Sequence, residues 1–545
     1  MAVLRIALCQ INPIVGDLVG NTAKALEALH RAEREGCNLA VFSELALTGY
    51  PPEDLLLKHG FLDEADDALD RFVSATSTCA AVIGFPERGA DGKLYNSALV
   101  VVDTVELGTY RKRLLPNSDV FDEKRYFDPG VGQVPTFVVN GVRIGVSICE
   151  DAWHGHGPIP DLAAAGAALI ININASPFYG GRLAERIETI AERAVEAGRP
   201  IVYVNQVGGQ DELVFDGGSF VVDEEGQVLA EAPQFEESMV VVEFDAVTKF
   251  WIAPEPERGL GDIEEIYQAL VLGTRDYVRK NGFSDVVIGM SGGVDSSLVA
   301  AIAADALGAE HVHGVLMPSR FSSDGSITDA ELLCNNFGID HRTIAIEPAH
   351  DALLGMLSPS FGDRAADLTE ENLQSRIRGV TLMALSNKFG WLVLTTGNKS
   401  ETSVGYSTLY GDTAGGFAVI KDCQKLMVYE LCRWRNRQSP DFDGGIIPES
   451  VLDKAPSAEL RPDQRDDQSL PPYDVLDPIL EAYVEDDQTA SELLDEGFDP
   501  ALVKRITRLV DLAEYKRRQS PPGPRVTHKA FGKDRRLPIT NGFRG

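Results

Sequence analysis

The chain contains no run of about 18 uncharged apolar residues, the length a membrane-spanning helix requires. It opens Met1-Ala-Val-Leu-Arg-Ile-Ala-Leu8, which passes directly into a strand pattern without the features of a secretion signal. A cytoplasmic protein with no membrane partner is therefore expected. Cysteines are few: seven, at positions 9, 37, 79, 149, 334, 423 and 432, an odd number without a Cys-x-x-Cys pair. That spacing supports neither a disulfide framework nor a zinc knuckle. Basic residues are also in short supply. Against 83 Asp and Glu stand 50 Lys and Arg, a net charge of −33, so nucleic acid and anionic membranes would be repelled. No Gly-Lys-Ser/Thr loop is present, which excludes the lysine-based γ-phosphate grip of kinases and GTPases. No internal repeat is visible.

What is present fits a two-domain soluble protein. A chain of 545 residues is too long for one core, and 44% apolar with 24% charged residues is ordinary globular composition. Residues 1–250 alternate strand and helix signals: strands over 4–8, 39–43, 80–85, 98–102, 142–148, 169–174 and 201–205, helices over 21–35 and 182–197, and a hairpin over 219–231. This is a layered α/β pattern. Pro254-Glu-Pro-Glu-Arg-Gly-Leu-Gly261 interrupts it, giving a linker over 251–261 and a second domain over 262–545. Asp262 and Glu265 have the spacing of a capping box. Strands over 285–290, 313–317, 342–346 and 391–395 then alternate with helices over 294–306, 329–336 and 370–389. That order predicts a doubly wound parallel sheet with its ligand site at the strand C-termini. Residues 320–326 and the Gly/Ser/Thr-rich 403–417 read as lids or as plain surface loops. From Tyr515 to Gly545, nine Lys and Arg (516, 517, 518, 525, 529, 533, 535, 536, 544) face one acid, Asp534, and form either a packed basic strip or a solvated arm.

Three groups in the first domain fall at or just after strand ends. Glu44 lies in Phe42-Ser-Glu44-Leu-Ala-Leu-Thr-Gly-Tyr-Pro51, Lys112 in Tyr110-Arg-Lys112-Arg-Leu-Leu-Pro116, and Cys149 in Ser147-Ile-Cys149-Glu150-Asp151-Ala-Trp153. A thiol, a carboxylate and an ammonium suit amide hydrolysis as nucleophile, proton carrier and oxyanion stabiliser. Taken alone, Cys149 at the end of an apolar strand also fits a small core residue. In the second domain Met290-Ser-Gly-Gly-Val-Asp-Ser-Ser297 joins a strand to an apolar helix. Its glycines expose backbone N–H groups at a helix N-terminus, which favours a bound phosphate.

The first set resembles the Glu–Lys–Cys triad of the nitrilase superfamily. The second resembles the SGGxDS loop of the N-type ATP pyrophosphatases. The two in one chain, with Thr395-Thr-Gly-Asn-Lys-Ser-Glu401, Ser407-Thr-Leu-Tyr-Gly-Asp412, Pro456-Ser-Ala-Glu-Leu-Arg-Pro462 and Ser469-Leu-Pro-Pro-Tyr473, resemble the glutamine-dependent NAD synthetases. The resemblance implies a nitrilase-like α-β-β-α sandwich, followed by a parallel sheet of the adenine nucleotide alpha hydrolase type. It implies that Glu44, Lys112 and Cys149 hydrolyse glutamine, with Ser118, Glu150, Ser176 and Arg182 at glutamine-contacting positions. Ser118 departs from the family's frequent tyrosine. Glu123 is either an auxiliary carboxylate or an exposed salt bridge to Lys124 or Arg125.

For the second domain the resemblance assigns Gly289, Met290, Ser291, Gly292, Gly293, Val294, Asp295, Ser296, Thr396 and Lys425 to ATP. It assigns Asn372, Arg376, Glu401, Lys516, His528 and Lys529 to deamido-NAD, and Asp295 and Glu401 to Mg²⁺, a cation that takes hard oxygen ligands. The implied reaction converts ATP, deamido-NAD, glutamine and water to NAD, AMP, pyrophosphate and glutamate, with ammonia passing in a sequestered way between sites. Partners are small molecules and other copies of the chain, since a homo-oligomer is expected. The alternative is an ammonia-dependent synthetase carrying an idle nitrilase-like module for oligomerisation or regulation. His154/His156 and His311/His313 have no third ligand nearby in sequence and read as structural.

Overall fold

The structure, a computed structural model, describes residues 3–256, 259–442, 444–462 and 464–542; Glu257 and Arg258 of the expected linker and Arg544 of the basic tail fall outside these. The chain divides into two compact units, Met1–Leu260 and Gly261–Gly545. Among the described residues, no helix is long and apolar enough to cross a membrane.

Two sheets face each other in the first unit. One has seven strands in the order Phe250–Ile252, Ser238–Asp245, Val3–Gln10, Leu39–Val41, Ala80–Arg88, Leu94–Val102, Val105–Arg111. The other has six, in the order Val228–Glu231, Phe220–Val222, Ile201–Asn205, Leu169–Asn174, Val142–Ile148, Thr136–Val139. Strand side chains alternate in direction. Leu4, Ile6 and Leu8 therefore pack with Val146, Ile148, Ile171 and Val204 between the sheets. Ala7 and Cys9 instead meet Ala25, Leu29 and Phe72 of the helices Leu18–Arg34 and His59–Ser74. On the opposite side Ile190 and Ala194 of the helix Arg182–Ala197 cover Ile170, Ile201 and Tyr203. The layers are helix, sheet, sheet, helix, as the resemblance implies. Strands buried on both faces have no polar side, which is why they read as continuous apolar runs. The hairpin over 219–231 does not end the unit: two further strands follow, and Phe250–Ile252 extends the sheet past residue 250.

The second unit is built on a parallel sheet in the order Asp340–Thr343, Val312–Leu316, Val286–Met290, Leu392–Thr395, Phe417–Ala418. Three local expectations are corrected. Asp262 is the first helical residue of Asp262–Lys280, not its cap; Gly261 holds that place without a side-chain bond. Acids in this first turn still complement the helix dipole. The helix expected over 329–336 begins at Asp324, because the Ser323 side chain caps it by accepting from Ser326 N–H. The last three residues of the presumed 320–326 loop are therefore helix start. The third strand is Asp340–Thr343 rather than 342–346, in register with His313–Leu316.

The basic tail packs against the unit. Lys399, 1% exposed, donates to Thr527 Oγ1 at 2.6 Å, to the Lys529 carbonyl at 2.8 Å and to Glu485 at 2.7 Å, and pairs with Asp422 at 2.9 Å. Asp422 in turn accepts from the backbone N–H groups of Val526 and Thr527, both at 2.8 Å. Lys399→Met removes the one cation of this buried hub and strands two carboxylates. Unfolding in urea should show a loss of about 3–5 kcal/mol, the usual cost of breaking a buried pair from one side. A loss within experimental error would mean that the tail is held elsewhere.

Candidate active sites

The first site forms where the two sheets of the first unit end. Glu44 sits three residues past Val41 and is fully buried. Gly84 of the neighbouring strand lets the chain pass that elbow, since a Cβ there would lie 2.3 Å from Leu45 N and 2.7 Å from the Ser43 carbonyl. Lys112 follows the strand Val105–Arg111, and its Nζ donates to Glu44 Oε1 at 2.7 Å and to Glu123 Oε1 at 2.8 Å. Asn96 donates to Glu44 at 2.7 Å, the Ala175 N–H at 3.1 Å, and the Tyr50 hydroxyl to Glu123 at 2.8 Å. Cys149 ends the strand Val142–Ile148 with φ of 45°, in the left-handed region, and is 3% exposed. Such backbone costs about 1–3 kcal/mol for a non-glycine residue and persists where its surroundings impose it.

Electrostatics here follow from burial and three opposed charges. Burial disfavours the Lys112 ammonium, but the Glu123 and Glu44 carboxylates outweigh it and hold the amine well above its ordinary range. Burial and the Glu44 charge push the Cys149 thiol well up, with Lys112 opposing. The sulfur therefore rests as a thiol, and the adjacent carboxylate must take its proton as attack begins. Burial also raises the Glu123 carboxyl. The alternative of an exposed Glu123 salt bridge is corrected: Glu123 is 4% exposed and pairs with Lys112, while Arg125 pairs with Asp54.

Around this core the expected glutamine contacts are unequal. Arg182 lies with its guanidinium 3.9 Å above the Trp153 ring and bonds Glu185 at 2.8 Å. Glu150 Oε1 lies 3.0 Å from His154 Nε2, within reach to accept its N–H. The Ser176 hydroxyl accepts from Arg186 at 3.2 Å, and Arg186 makes a fully buried two-point pair with Asp216 at 2.7 and 2.9 Å. Ser118 is exposed in the loop after Lys112. Sequence reasoning missed Asn96, Tyr50, Asp151 and the Arg186–Asp216 pair. Of the histidine pairs, His154 stacks on His156, and His311 and His313 both approach Asp285.

In the second unit, the turn between Val286–Met290 and the helix Val294–Leu307 carries Ser291-Gly292-Gly293. Gly292 has φ of 73°, and a Cβ there would stand 2.0 Å from the Ser326 carbonyl, so only glycine fits. Ser291 Oγ accepts from Gly293 N–H at 3.2 Å and meets Ser296 Oγ at 3.0 Å. Asp295, in the first turn, accepts from Asn398 at 2.9 Å. Lys425, 2% exposed, bonds both Asp295 and, at 3.2 Å, Glu401. Burial raises the Glu401 carboxyl to about 7, with Asp295 and Asp466 adding to it and Lys425 opposing. Two carboxylates converging on one ammonium, and one of them strained by burial, form a site a hard cation would relieve. Thr396 follows directly on the strand Leu392–Thr395.

Asn372, Arg376 and Lys516 meet on one loop. Asn372 accepts from Thr408 at 2.8 Å, Arg376 donates to the Leu409 carbonyl at 3.2 Å, and Lys516 to those of Gly405 and Ser407 at 2.7 Å. The Lys529 carbonyl, next to His528 in the chain, accepts from Lys399, which follows Asn398 and lies two residues before Glu401. Asp466, which accepts from Tyr473 at 3.0 Å, was not foreseen; the Tyr473 ring lies 5.5 Å from the Lys425 ammonium.

Two family models match the chain: carbon-nitrogen hydrolase over residues 5–253, and NAD synthase over residues 266–520. Fold and sites thus define a carbon–nitrogen hydrolase unit joined to an ATP-using ligase unit. The chain is 46% identical to the glutamine-dependent NAD(+) synthetase of Acinetobacter baylyi over 544 residues, covering 100% of this chain and 99% of that one. It is 46% identical to that of Thermotoga maritima over 574 residues, covering 99% of each. A solved structure of glutamine-dependent NAD+ synthetase from Acinetobacter baumannii, in complex with adenosine diphosphate, matches with a TM-score of 0.81 at 44% identity over 99% of each chain. The chain belongs to the glutamine-dependent NAD(+) synthetase family.

Proposed function

We propose that the protein makes NAD⁺ from deamido-NAD⁺, ATP, glutamine and water, releasing AMP, pyrophosphate and glutamate. The first unit, residues 1–250 with the strand Phe250–Ile252, is the glutaminase, and residues 262–545 are the synthetase. The observation that carries this reading is the intact buried set of Glu44, Lys112 and Cys149, with Lys112 Nζ 2.7 Å from Glu44. An idle module has no need to keep three ionisable groups in one dry pocket.

Cys149 Sγ attacks the glutamine carboxamide carbon as Glu44 takes the thiol proton. The Lys112 ammonium faces the oxyanion that forms. Glu44 returns the proton to the departing nitrogen, and ammonia leaves a thioester on Cys149. Glu44 then deprotonates the water that hydrolyses it, and glutamate departs. Glu150 and Arg182 suit the α-ammonium and α-carboxylate of glutamine, an arginine being able to pair a carboxylate at two points. Ser176 lines this side, held by Arg186, and Ser118 would meet the substrate only at the rim.

In the second unit the residues Gly289 to Ser296 cradle the ATP phosphates, with Thr396 and Lys425 beside them. Asp295 and Glu401 would hold Mg²⁺, which supplies neutralisation of phosphate charge. The nicotinate carboxylate displaces pyrophosphate from the α-phosphorus. Ammonia then attacks the adenylated carbonyl and AMP leaves. Asn372, Arg376, Glu401, Lys516, His528 and Lys529 are assigned to deamido-NAD⁺.

A second copy of the chain is expected to cover helices Glu347–Phe361 and Leu368–Phe389, where Met356 is 73%, Leu368 68% and Val380 68% exposed. Sedimentation should then give a mass above that of one chain. The function itself is tested by product analysis: purified protein given deamido-NAD⁺, ATP and glutamine should form NAD⁺, AMP and glutamate together. NAD⁺ formation with ammonium salts but not with glutamine would favour the idle-module alternative.

A further inference from the structure

Lys112 and Cys149 come from different sheets. Lys112 follows an edge strand of the seven-stranded sheet, and Cys149 ends a strand of the six-stranded one. Between the sheets lies apolar packing, which fixes separation but carries no directional bonds. Sub-ångström placement of an ammonium and a nucleophile needs such bonds. Glu44 has one, from Ala175 N–H at the end of the strand Leu169–Asn174.

Asp151 supplies them for the other two. It is fully buried, two residues beyond Cys149, and its carboxylate takes four donors. Oδ1 accepts from the N–H groups of Arg113 at 3.0 Å and Leu114 at 2.9 Å, the two residues after Lys112. Oδ2 accepts from Ile148 N–H at 3.1 Å, the residue before Cys149, and from the Tyr110 hydroxyl at 2.7 Å, two residues before Lys112. Three of the four partners are backbone N–H groups, which can only donate, and the Tyr110 hydroxyl donates as the fourth. Its side chain thus bonds both flanks of Lys112 and the backbone that precedes the strained Cys149.

We propose that Asp151 is a positioning residue for glutamine hydrolysis, tying the Lys112 loop to the Cys149 elbow so that base, ammonium and sulfur share one geometry. This rests on the reading of Cys149 as nucleophile. Asp151→Asn separates the two halves of the tie. The amide oxygen can keep Arg113 and Leu114, and its NH₂ can be accepted by Tyr110, but that NH₂ then faces the Ile148 N–H without a bond. The lysine loop stays and the cysteine elbow is released.

The test uses the full chain as Asp151→Asn, Tyr110→Phe and Cys149→Ala, read by glutamine kcat and KM, by the rate of Cys149 alkylation with iodoacetamide, and by ammonia-dependent NAD⁺ formation. For Asp151→Asn, kcat should fall about 10²-fold with KM changed less than about threefold. Alkylation of Cys149 should slow with it, while ammonia-dependent synthesis stays near wild type. Tyr110→Phe, which removes one donor of four, should lower kcat about 3- to 10-fold, the worth of one hydrogen bond. Wild-type kcat and alkylation in folded Asp151→Asn would overturn the proposal. So would a fall in glutamine turnover matched by an equal fall in ammonia-dependent synthesis with alkylation unchanged, the mark of general destabilisation. Should Asp151→Asn fail to fold, wild-type kcat and alkylation in Tyr110→Phe would overturn it. If Cys149→Ala still hydrolyses glutamine, the nucleophile reading fails, and the alkylation rates still decide whether Asp151 positions that thiol.

Discussion

Cys149→Ala is expected to lose glutamine as a nitrogen donor by at least about 10⁴-fold while still making NAD⁺ from ammonium salts. Without the sulfur no thioester forms, and no neighbouring group replaces it: Glu44 and Glu123 are both engaged with Lys112. Alanine is smaller than cysteine and carries the same Cβ, so it meets the same backbone demand at φ of 45°. The ion pairs of the pocket do not depend on the thiol. The fold and the second unit should therefore be unaffected. Ammonia-dependent synthesis should rise with pH over the neutral to mildly alkaline range, because only unprotonated NH₃ is nucleophilic. Initial rates with glutamine and with ammonium chloride, measured side by side, decide the matter. Retained glutamine use would remove Cys149 from the mechanism, and loss of both activities in a folded variant would mean that the two chemistries are not separable.

Asp295→Asn should act in the opposite sense, suppressing AMP and pyrophosphate formation while sparing glutamine hydrolysis at least in part. Asp295 meets Lys425 and Asn398 in the turn that opens the phosphate cradle. The amide can keep its bond from Asn398, but its other end presents NH₂ to the Lys425 ammonium, and one negative charge is gone. Losing one preorganised electrostatic group in a dry site typically costs about 3–4 kcal/mol, or roughly 10²–10³-fold in rate. Pyrophosphate release under saturating substrates would measure it. Unchanged release would place charge neutralisation elsewhere.

Much of this molecule is legible in its sequence, for a physical reason. Strands such as Val142–Ile148 and Leu169–Asn174 are buried on both faces but for Arg143, so apolar residues dominate each, with Ser147, Asn172 and Asn174 the buried polar exceptions. Groups at their C-terminal ends, Glu44, Cys149 and the Ser291–Gly293 turn, inherit that clarity. Local boundaries were less visible where a side chain settles them, as with Ser323 capping a helix placed five residues too late. Buried polar groups were least visible. Glu123 stands beside Lys124 and Arg125 in sequence yet pairs with Lys112, and Lys399 gathers Asp422, Glu485 and Thr527 from distant segments. A charged residue carries no periodic mark of being inside; its burial is decided by partners far along the chain. The basic tail belongs to the same class, its composition allowing both a free arm and the packed strip that is found.

The measurement that bears most directly on the account is the fate of nitrogen from glutamine labelled with ¹⁵N in its amide, given with deamido-NAD⁺ and ATP. The NAD⁺ formed should carry the label in its carboxamide, with one AMP, one pyrophosphate and one glutamate for each molecule made. Glutamate released without labelled NAD⁺, or ADP appearing in place of AMP, would contradict it.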